Sequence, residues 1–382
     1  MVLLKDCLFD IFSSFNFKIR FCCITNSFFQ EEIIIIKLNE LKISNKKSFK
    51  SPKIKFDSNL IKINKKIHSP HRIEPIEIEL WKSNKESSDK ELIIFMPGLG
   101  GDINNFKWIG SELTQRGWPV IFLHHKGSNS DTLSEVLKGK EGIPESSDFF
   151  FNRLKDLDAV LNAHSNESFG LLNDSYILMG HSLGALIALL YEGGEPLDGL
   201  ENRCDKALTD FAVTNLSKLL QCQLNEISLP EKTNKKKANA IIGFNAFGSL
   251  IWPKEKSSGI DVPILLIGGT YDLITPLIGE QFKVFLSANN PLNRFLIIEG
   301  ASHFSPIRIE NSLEENNDIF KIGEPFIGSD PISVQDLSLR TLVAFINKIT
   351  KEESIKIFSN KRGINLDFHI LDRKTINNIS KN

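Results

Sequence analysis

The stretch Tyr176-Ile177-Leu178-Met179-Gly180-His181-Ser182-Leu183-Gly184-Ala185-Leu186-Ile187-Ala188-Leu189-Leu190-Tyr191 decides the fold of this chain. Residues 176–179 form a short continuous apolar run, as strands buried on both faces do. Residues 183–191 then read as a buried helix, and between the two stands G-x-S-x-G. Glycines on either side of a serine at a strand-to-helix junction allow a sharp turn that lifts the Ser182 hydroxyl above the sheet. The helix that follows aims its backbone N–H groups at any anion formed there. The alternative is a glycine-rich turn that only packs a helix on a strand; the flanking elements favour the nucleophile.

Working outward, the same alternation recurs. From Glu91 onward, residues 92–95, 120–123, 240–244, 264–267 and 295–298 join 176–179 as short apolar strands. Helical patterns fall at 105–116, 150–164, 183–191, 277–287 and 334–349. This predicts a doubly wound, mostly parallel α/β sheet with its site at the carboxyl ends of the strands. Upstream, the alternating runs 53–56, 60–63 and 73–81 predict antiparallel edge strands. Segments 193–239 and 305–331 break the rhythm and are expected as excursions over the site, the second as a partial lid. The expected organisation is a poorly defined segment 1–50, a sheet domain 51–350 carrying both excursions, and a tail 351–382.

Composition narrows the function classes. The chain is 41% hydrophobic and 24% charged, which excludes a disordered or collagen-like chain. Forty-six Lys and Arg balance 47 Asp and Glu, so no global field draws it to nucleic acid or an anionic membrane. The apolar stretch 175–191 is uncharged but contains His181 and Ser182 and is shorter than the roughly 20 apolar residues of a membrane span, so no transmembrane segment is expected. Near the N-terminus, Lys5, Asp6, Asp10, Lys18 and Arg20 interrupt what would be the core of a signal peptide. Five cysteines with neither CxxC nor HxxxH indicate no zinc site and no disulfide framework. A cytoplasmic protein is expected; were it exported, Cys204 and Cys222 would be placed to pair. The oligomeric state is left open.

A serine hydroxyl is a weak nucleophile without a histidine base and a carboxylate to orient that base. Gly268-Gly269-Thr270-Tyr271-Asp272 leaves one strand, and Gly300-Ala301-Ser302-His303-Phe304 leaves the next. The chain order Ser182, Asp272, His303 is the one this type of sheet uses. Singly, Asp272 reads equally well as a turn former and His303 as a loop histidine; their joint occurrence decides. His68, His71, His164 and His369 lie elsewhere, and His124 and His125 read as solvated or structural. The turn after 240–244 offers Asn245, Ala246 and Phe247, none ionisable, so Asp272 must supply the charge and loss of Asn245 is expected to be mild. Oxyanion donors are expected from Leu99 N–H, in the loop Met96-Pro97-Gly98-Leu99-Gly100-Gly101, and from Leu183 N–H. That loop lacks the G-x-x-x-x-G-K-[ST] of a phosphate cradle and the later glycine and acid of a dinucleotide site.

These stretches, with His125-Lys126-Gly127-Ser128-Asn129-Ser130, resemble the α/β-hydrolase superfamily over about residues 90–350. Within it the resemblance is to predicted dienelactone-hydrolase and platelet-activating-factor acetylhydrolase-like proteins. It implies a Ser182-Asp272-His303 triad, oxyanion donors at Leu99 and Leu183, no cofactor and no metal. The implied activity is hydrolysis of small-molecule carboxylic esters, as in esterases and lipases, through an acyl-enzyme. Thioester or amide hydrolysis, and a catalytically silent binding protein, are the rival readings. Three departures stand out. Pro97 replaces the histidine that stiffens the oxyanion loop in many relatives. The elbow has Ser where true dienelactone hydrolases have Cys. The acetylhydrolases take their acid from the turn where this chain has Asn245.

Overall fold

A strand with apolar side chains on both faces has neither face to give to water, so it must be covered on each. The computed structural model describes residues 60–84, 89–130, 132, 146–209, 215–253, 257–308, 328–349 and 366–372. In it such strands form the centre of a nine-stranded sheet. The strands are Leu60–Ile67 (β1), Ile76–Ser83 (β2), Leu92–Met96 (β3), Val120–Leu123 (β4), Tyr176–His181 (β5), Ala240–Phe244 (β6), Ile264–Gly269 (β7), Arg294–Ile298 (β8) and Phe368–Asp372 (β9). Their order is β1-β2-β4-β3-β5-β6-β7-β8-β9. Strands β3 to β8 pair in parallel, while β1, β2 and β9 are antiparallel additions at the edges. The doubly wound, mostly parallel sheet with antiparallel N-terminal edge strands is therefore as expected.

Successive residues of each strand serve opposite cores. Leu92, Ile94 and Met96 pack on one side with Ser146–Ser165 (α2) and Leu183–Tyr191 (α3). Ile93 and Phe95 pack on the other with Lys107–Gln115 (α1) and, C-terminal, Pro331–Ile349. The chain lays β4 on one side of β3 and then returns to place β5 on the other. The order reverses there, and ligands of such sheets bind in that crevice, beyond the strands' carboxyl ends.

Several elements differ from their expected form. Residues 368–372, assigned from sequence to the tail, form β9 and extend the sheet domain beyond residue 350. A five-residue edge strand without a fully buried residue leaves only a weak pattern. The helix expected over 277–287 is a π-helical turn, Leu277–Gln281, followed by a short α-helix, Phe282–Ser287. The first excursion carries Leu200–Thr209 (α4) and Ser217–Cys222 (α5), joined by a Cys204–Cys222 disulfide with Cα atoms 5.5 Å apart. It packs back on the sheet's carboxyl end, where Ser217 N–H donates to Ile274 O at 3.3 Å. Residues 309–327 of the second excursion, and the expected strand 53–56, lie outside the described residues. Among the described residues no helix is long and apolar enough to cross a membrane.

The junction between β5 and α3 is fixed by contact of backbone with backbone. A methyl group on Gly184 would fall inside Met96 O and lie 2.9 Å from Pro97 O; one on Gly180 would fall on Gly184. Neither glycine has a positive φ, so both are required for close approach and not, as the sequence suggested, for turning the chain. Gly184→Ala should therefore cost at least about 3 kcal/mol, since the obstacle is main chain that cannot rotate away. Gly170 has φ 60° and open space around it, so Gly170→Ala should cost only about 1 kcal/mol of backbone strain. Urea midpoints of the two variants check this; equal shifts would contradict it.

Candidate active site

The turn at the crevice is made by Ser182 itself. Its backbone has φ 52° and ψ −118°, a conformation that a non-glycine residue holds only when its surroundings impose it. Its N–H donates to Phe244 O at 2.9 Å, tying the turn to β6. Its C=O accepts the first bonds of α3, from Ala185 N–H at 3.0 Å and Leu186 N–H at 3.1 Å. Leu183 N–H, at the first position of α3, has no carbonyl four residues back to bond and carries the positive end of the helix dipole.

Asp272 and His303, expected from sequence at neighbouring strand ends, are in contact. His303 Nδ1 lies 3.2 and 3.0 Å from Asp272 Oδ1 and Oδ2. Both are nearly buried, at 5% and 3% exposure. Burial alone would raise the Asp272 carboxyl. The charge and hydrogen bond of His303 and the bonds from Thr275 outweigh it and hold the group below the usual carboxylate range. Oδ1 accepts from Ile274 N–H and Thr275 N–H at 2.9 and 2.8 Å. Oδ2 accepts from Thr275 Oγ1, Asn245 Nδ2 and Gln281 Nε2 at 2.6, 2.7 and 3.2 Å.

Three of these partners escaped the sequence reading. Nothing in the sequence marks Thr275, between the Asp272 loop and the helical pattern, and Gln281 falls inside the helical pattern 277–287. Asn245 had been set aside as non-ionisable, yet it sits at the end of β6 with φ 50°, donating to the carboxylate from the adjacent strand. A neutral amide at a strand end, next to the candidate acid in the sheet order, was the available signal.

The loop after β3 is braced by a residue sequence analysis did not single out. Arg153, on α2, is fully buried at 1% exposure. Its guanidinium donates to Pro97 O at 2.6 Å, Gly98 O at 3.0 Å, Ser128 O at 3.2 Å and Ser128 Oγ at 2.8 Å. Burial lowers it to about 9. Gly100 N–H donates to Ser128 O at 2.9 Å, joining this loop to the turn after β4. The stiffening that the missing histidine at Pro97 seemed to remove is thus supplied from α2. One turn along, Asp156 accepts from His71, Arg72 and His125. Burial would raise its carboxyl, but the hydrogen bonds from His125 and His71 and the positive charges around it take it down to about 2. His125 is therefore structural, as expected, and so is His71.

His181 links the two halves of the site. Its Nε2 bonds His303 O at 3.0 Å, and its ring lies 4.8 Å from that of His303. A methyl group on Gly98 would meet Ser182 Cβ at 3.1 Å and His181 Nδ1 at 3.2 Å, so the β3 loop rests against both residues. Ser182, His303 and the loop bearing Leu99 therefore gather around one residue, His181.

Residues 87–199, which span the β3 loop, Arg153 and the Ser182 turn, match the family model described as serine aminopeptidase, S33 (Hydrolase_4). Together with the sheet order, this assigns an α/β-hydrolase fold. The chain is similar to the serine hydrolases of the α/β-hydrolase type. Asp272 and His303 lie beyond the matched residues. No curated protein matches the chain significantly.

Two buried histidines of this chain are held neutral. Burial, aided by the Arg153 charge, pushes His125 down to about 4. Burial, aided by His303, pushes His181 down to about 3. Unfolded histidine titrates near 6.5, so below that pH the unfolded chain binds protons that the folded chain refuses. Stability should thus fall between about pH 6.5 and 4, by up to about 1.4 kcal/mol per pH unit for each histidine, with no slope from either above 6.5. Urea midpoints across this range check the sign. His125→Asn, which keeps a donor toward Asp156, should flatten the curve, and a pH-independent wild-type midpoint would contradict the reading.

Proposed function

We propose that the chain is a serine carboxylic-ester hydrolase working through an acyl-enzyme, with Ser182, Asp272 and His303 as its triad. The observation that carries this is the strained backbone of Ser182 at the head of α3, next to a buried His303–Asp272 pair. In the first step Ser182 Oγ attacks the ester carbonyl carbon and its proton passes to His303 Nε2. Asp272, ionised and saturated with donors, keeps Nδ1–H in place and stabilises the imidazolium without taking its proton. The negative charge gathering on the carbonyl oxygen is met by Leu99 N–H and Leu183 N–H, each supplying about 3 kcal/mol of transition-state stabilisation. Collapse breaks the C–O bond, and the leaving alkoxide takes the proton from His303. Water, deprotonated by His303, then attacks the acyl-serine, and Ser182 recovers its proton as the acid leaves.

The family description favours a second reading, cleavage of the amide bond after a peptide's N-terminal residue. An aminopeptidase needs an anion for the substrate's α-ammonium. Among the described residues, buried carboxylates near the Ser182 turn are already taken up, Asp156 by His71, Arg72 and His125. Asp272 is filled as described, and Glu280 accepts from Asn215, Gln221, Ser249 and the backbone N–H groups of Gly248 and Ser249. With their oxygens engaged in this way, none of them is free to pair with an α-ammonium, which supports a neutral ester substrate.

Ser182→Ala should abolish labelling by a fluorophosphonate probe and reduce ester turnover by about a millionfold, with an unchanged urea midpoint or a slightly higher one. More than a few per cent residual activity in pure protein would remove Ser182 as the nucleophile. A panel of p-nitrophenyl esters of graded chain length against aminoacyl p-nitroanilides separates the two readings: the esters should be turned over and the anilides not.

Asp272→Asn should cost on the order of ten-thousandfold in kcat near neutral pH, because the amide favours the wrong histidine tautomer. Asn245→Gly removes one donor from the carboxylate while relieving the positive φ. It should cost on the order of tenfold, the loss of one charge-assisted hydrogen bond, and more than the mild effect expected from sequence. If Asp272→Asn stayed within about tenfold of wild type, another carboxylate would have to serve.

A further inference from the structure

We propose that Arg153 is a positioning residue for the oxyanion site: by holding Gly98 O it sets the direction in which Leu99 N–H points. The proposal rests on the hydrolase reading above and adds a residue to it. In a trans peptide the C=O of one residue and the N–H of the next belong to one plane and point in opposite directions. The described chain contains no cis bond, so the plane shared by Gly98 and Leu99 is of this kind. Arg153 Nη2 takes Gly98 O at 3.0 Å on the α2 side, and Gly101 N–H takes the same oxygen at 3.2 Å. With that oxygen pinned, Leu99 N–H must point the other way, and Gly98 rests against Ser182. The neighbouring peptide plane is pinned alike, through Pro97 O at 2.6 Å.

The guanidinium suits the task for two reasons. Its planar fork presents several donors in fixed directions, so it can hold two consecutive carbonyls and the Ser128 turn together, which a lysine ammonium cannot do with the same geometry. A cationic donor on a carbonyl also polarises the amide, which makes the N–H at its other end a better donor. No part of Arg153 needs to touch substrate. Its contribution is to have Leu99 N–H already aimed where charge appears, so that no reorganisation is required during the reaction.

The test uses the full-length chain, a p-nitrophenyl ester and an alkyl trifluoromethyl ketone. Such a ketone becomes a tetrahedral oxyanion on the serine and so reports the oxyanion donors separately from substrate binding. Arg153→Met should lower kcat by about 100- to 1,000-fold, as removal of one oxyanion donor does, with KM changed by less than about threefold. Affinity for the ketone should fall by a similar factor, and Arg153→Lys should lie between Met and wild type. Should Arg153→Met fail to fold, Arg153→Lys, which keeps the buried charge, carries the test with the same split between kcat and KM. Leu157→Ala, a buried change on the same helix, is the stability control. It should lower the urea midpoint yet leave kcat per fluorophosphonate-labelled site unchanged.

If wild type is labelled at Ser182 and the Arg153 variants keep kcat and ketone affinity within about threefold, the positioning role is overturned while the hydrolase reading stands. A wild-type chain that is neither labelled nor active would overturn both.

Discussion

The backbone of α3 touches the backbone of β3 at Gly184, and most of the site follows from that contact. Because no side chain intervenes, the first turn of α3 sits directly on Met96 O and Pro97 O, at the point where the β3 loop departs. One element carries Ser182 and Leu183 N–H, the other Leu99 N–H, the proposed nucleophile and oxyanion donors, and the approach of the two elements is set by main-chain radii rather than by rotamers. The order of strands puts the contact at the reversal between β3 and β5, where an open crevice exists in any sheet of this winding.

Around that contact the charged groups are held by many donors each. Asp272 accepts hydrogen bonds from its own loop, from β6 through Asn245, from the π-helical turn through Gln281, and from His303. Glu280, beside Gln281, binds the α5 segment and the loop after β6. The π turn thus presents one side chain to the candidate acid and the next to the first excursion, and such single π turns recur at functional sites. Arg153 plays the corresponding part on the other flank, with backbone carbonyls in place of a carboxylate.

Much of this was legible in the sequence because the signals were local. The Ser182 motif lies between a run that is apolar at every position and a helix that is apolar throughout; Asp272 and His303 each follow a strand by a few residues. What stayed illegible was relational. Nothing near Arg153 in the chain marks it as the brace of a loop more than fifty residues earlier; a helical arginine reads as a solvated side chain. Asn245 was judged by whether it could ionise, when its role is to donate to a group that does. The glycines of the elbow were credited with turning the chain, whereas Ser182 turns it and the glycines let two backbones meet. Strand β9 leaves little trace because it is only five residues long, without a fully buried residue, and its partner, β8, lies about seventy residues away.

Ser182 and Asn245 end adjacent strands, and both are non-glycine residues with positive φ. Each such conformation costs on the order of 1–3 kcal/mol, a large share of the net stability of an ordinary domain. The protein is thus least relaxed where the proposed chemistry is concentrated. Selection for heat resistance alone would find relief by placing glycine at these two positions, and would remove the proposed nucleophile and a donor to its acid. In this molecule activity and thermal hardiness compete for the same two backbone positions, so a search for hardier variants has to hold both fixed and look for its gains elsewhere.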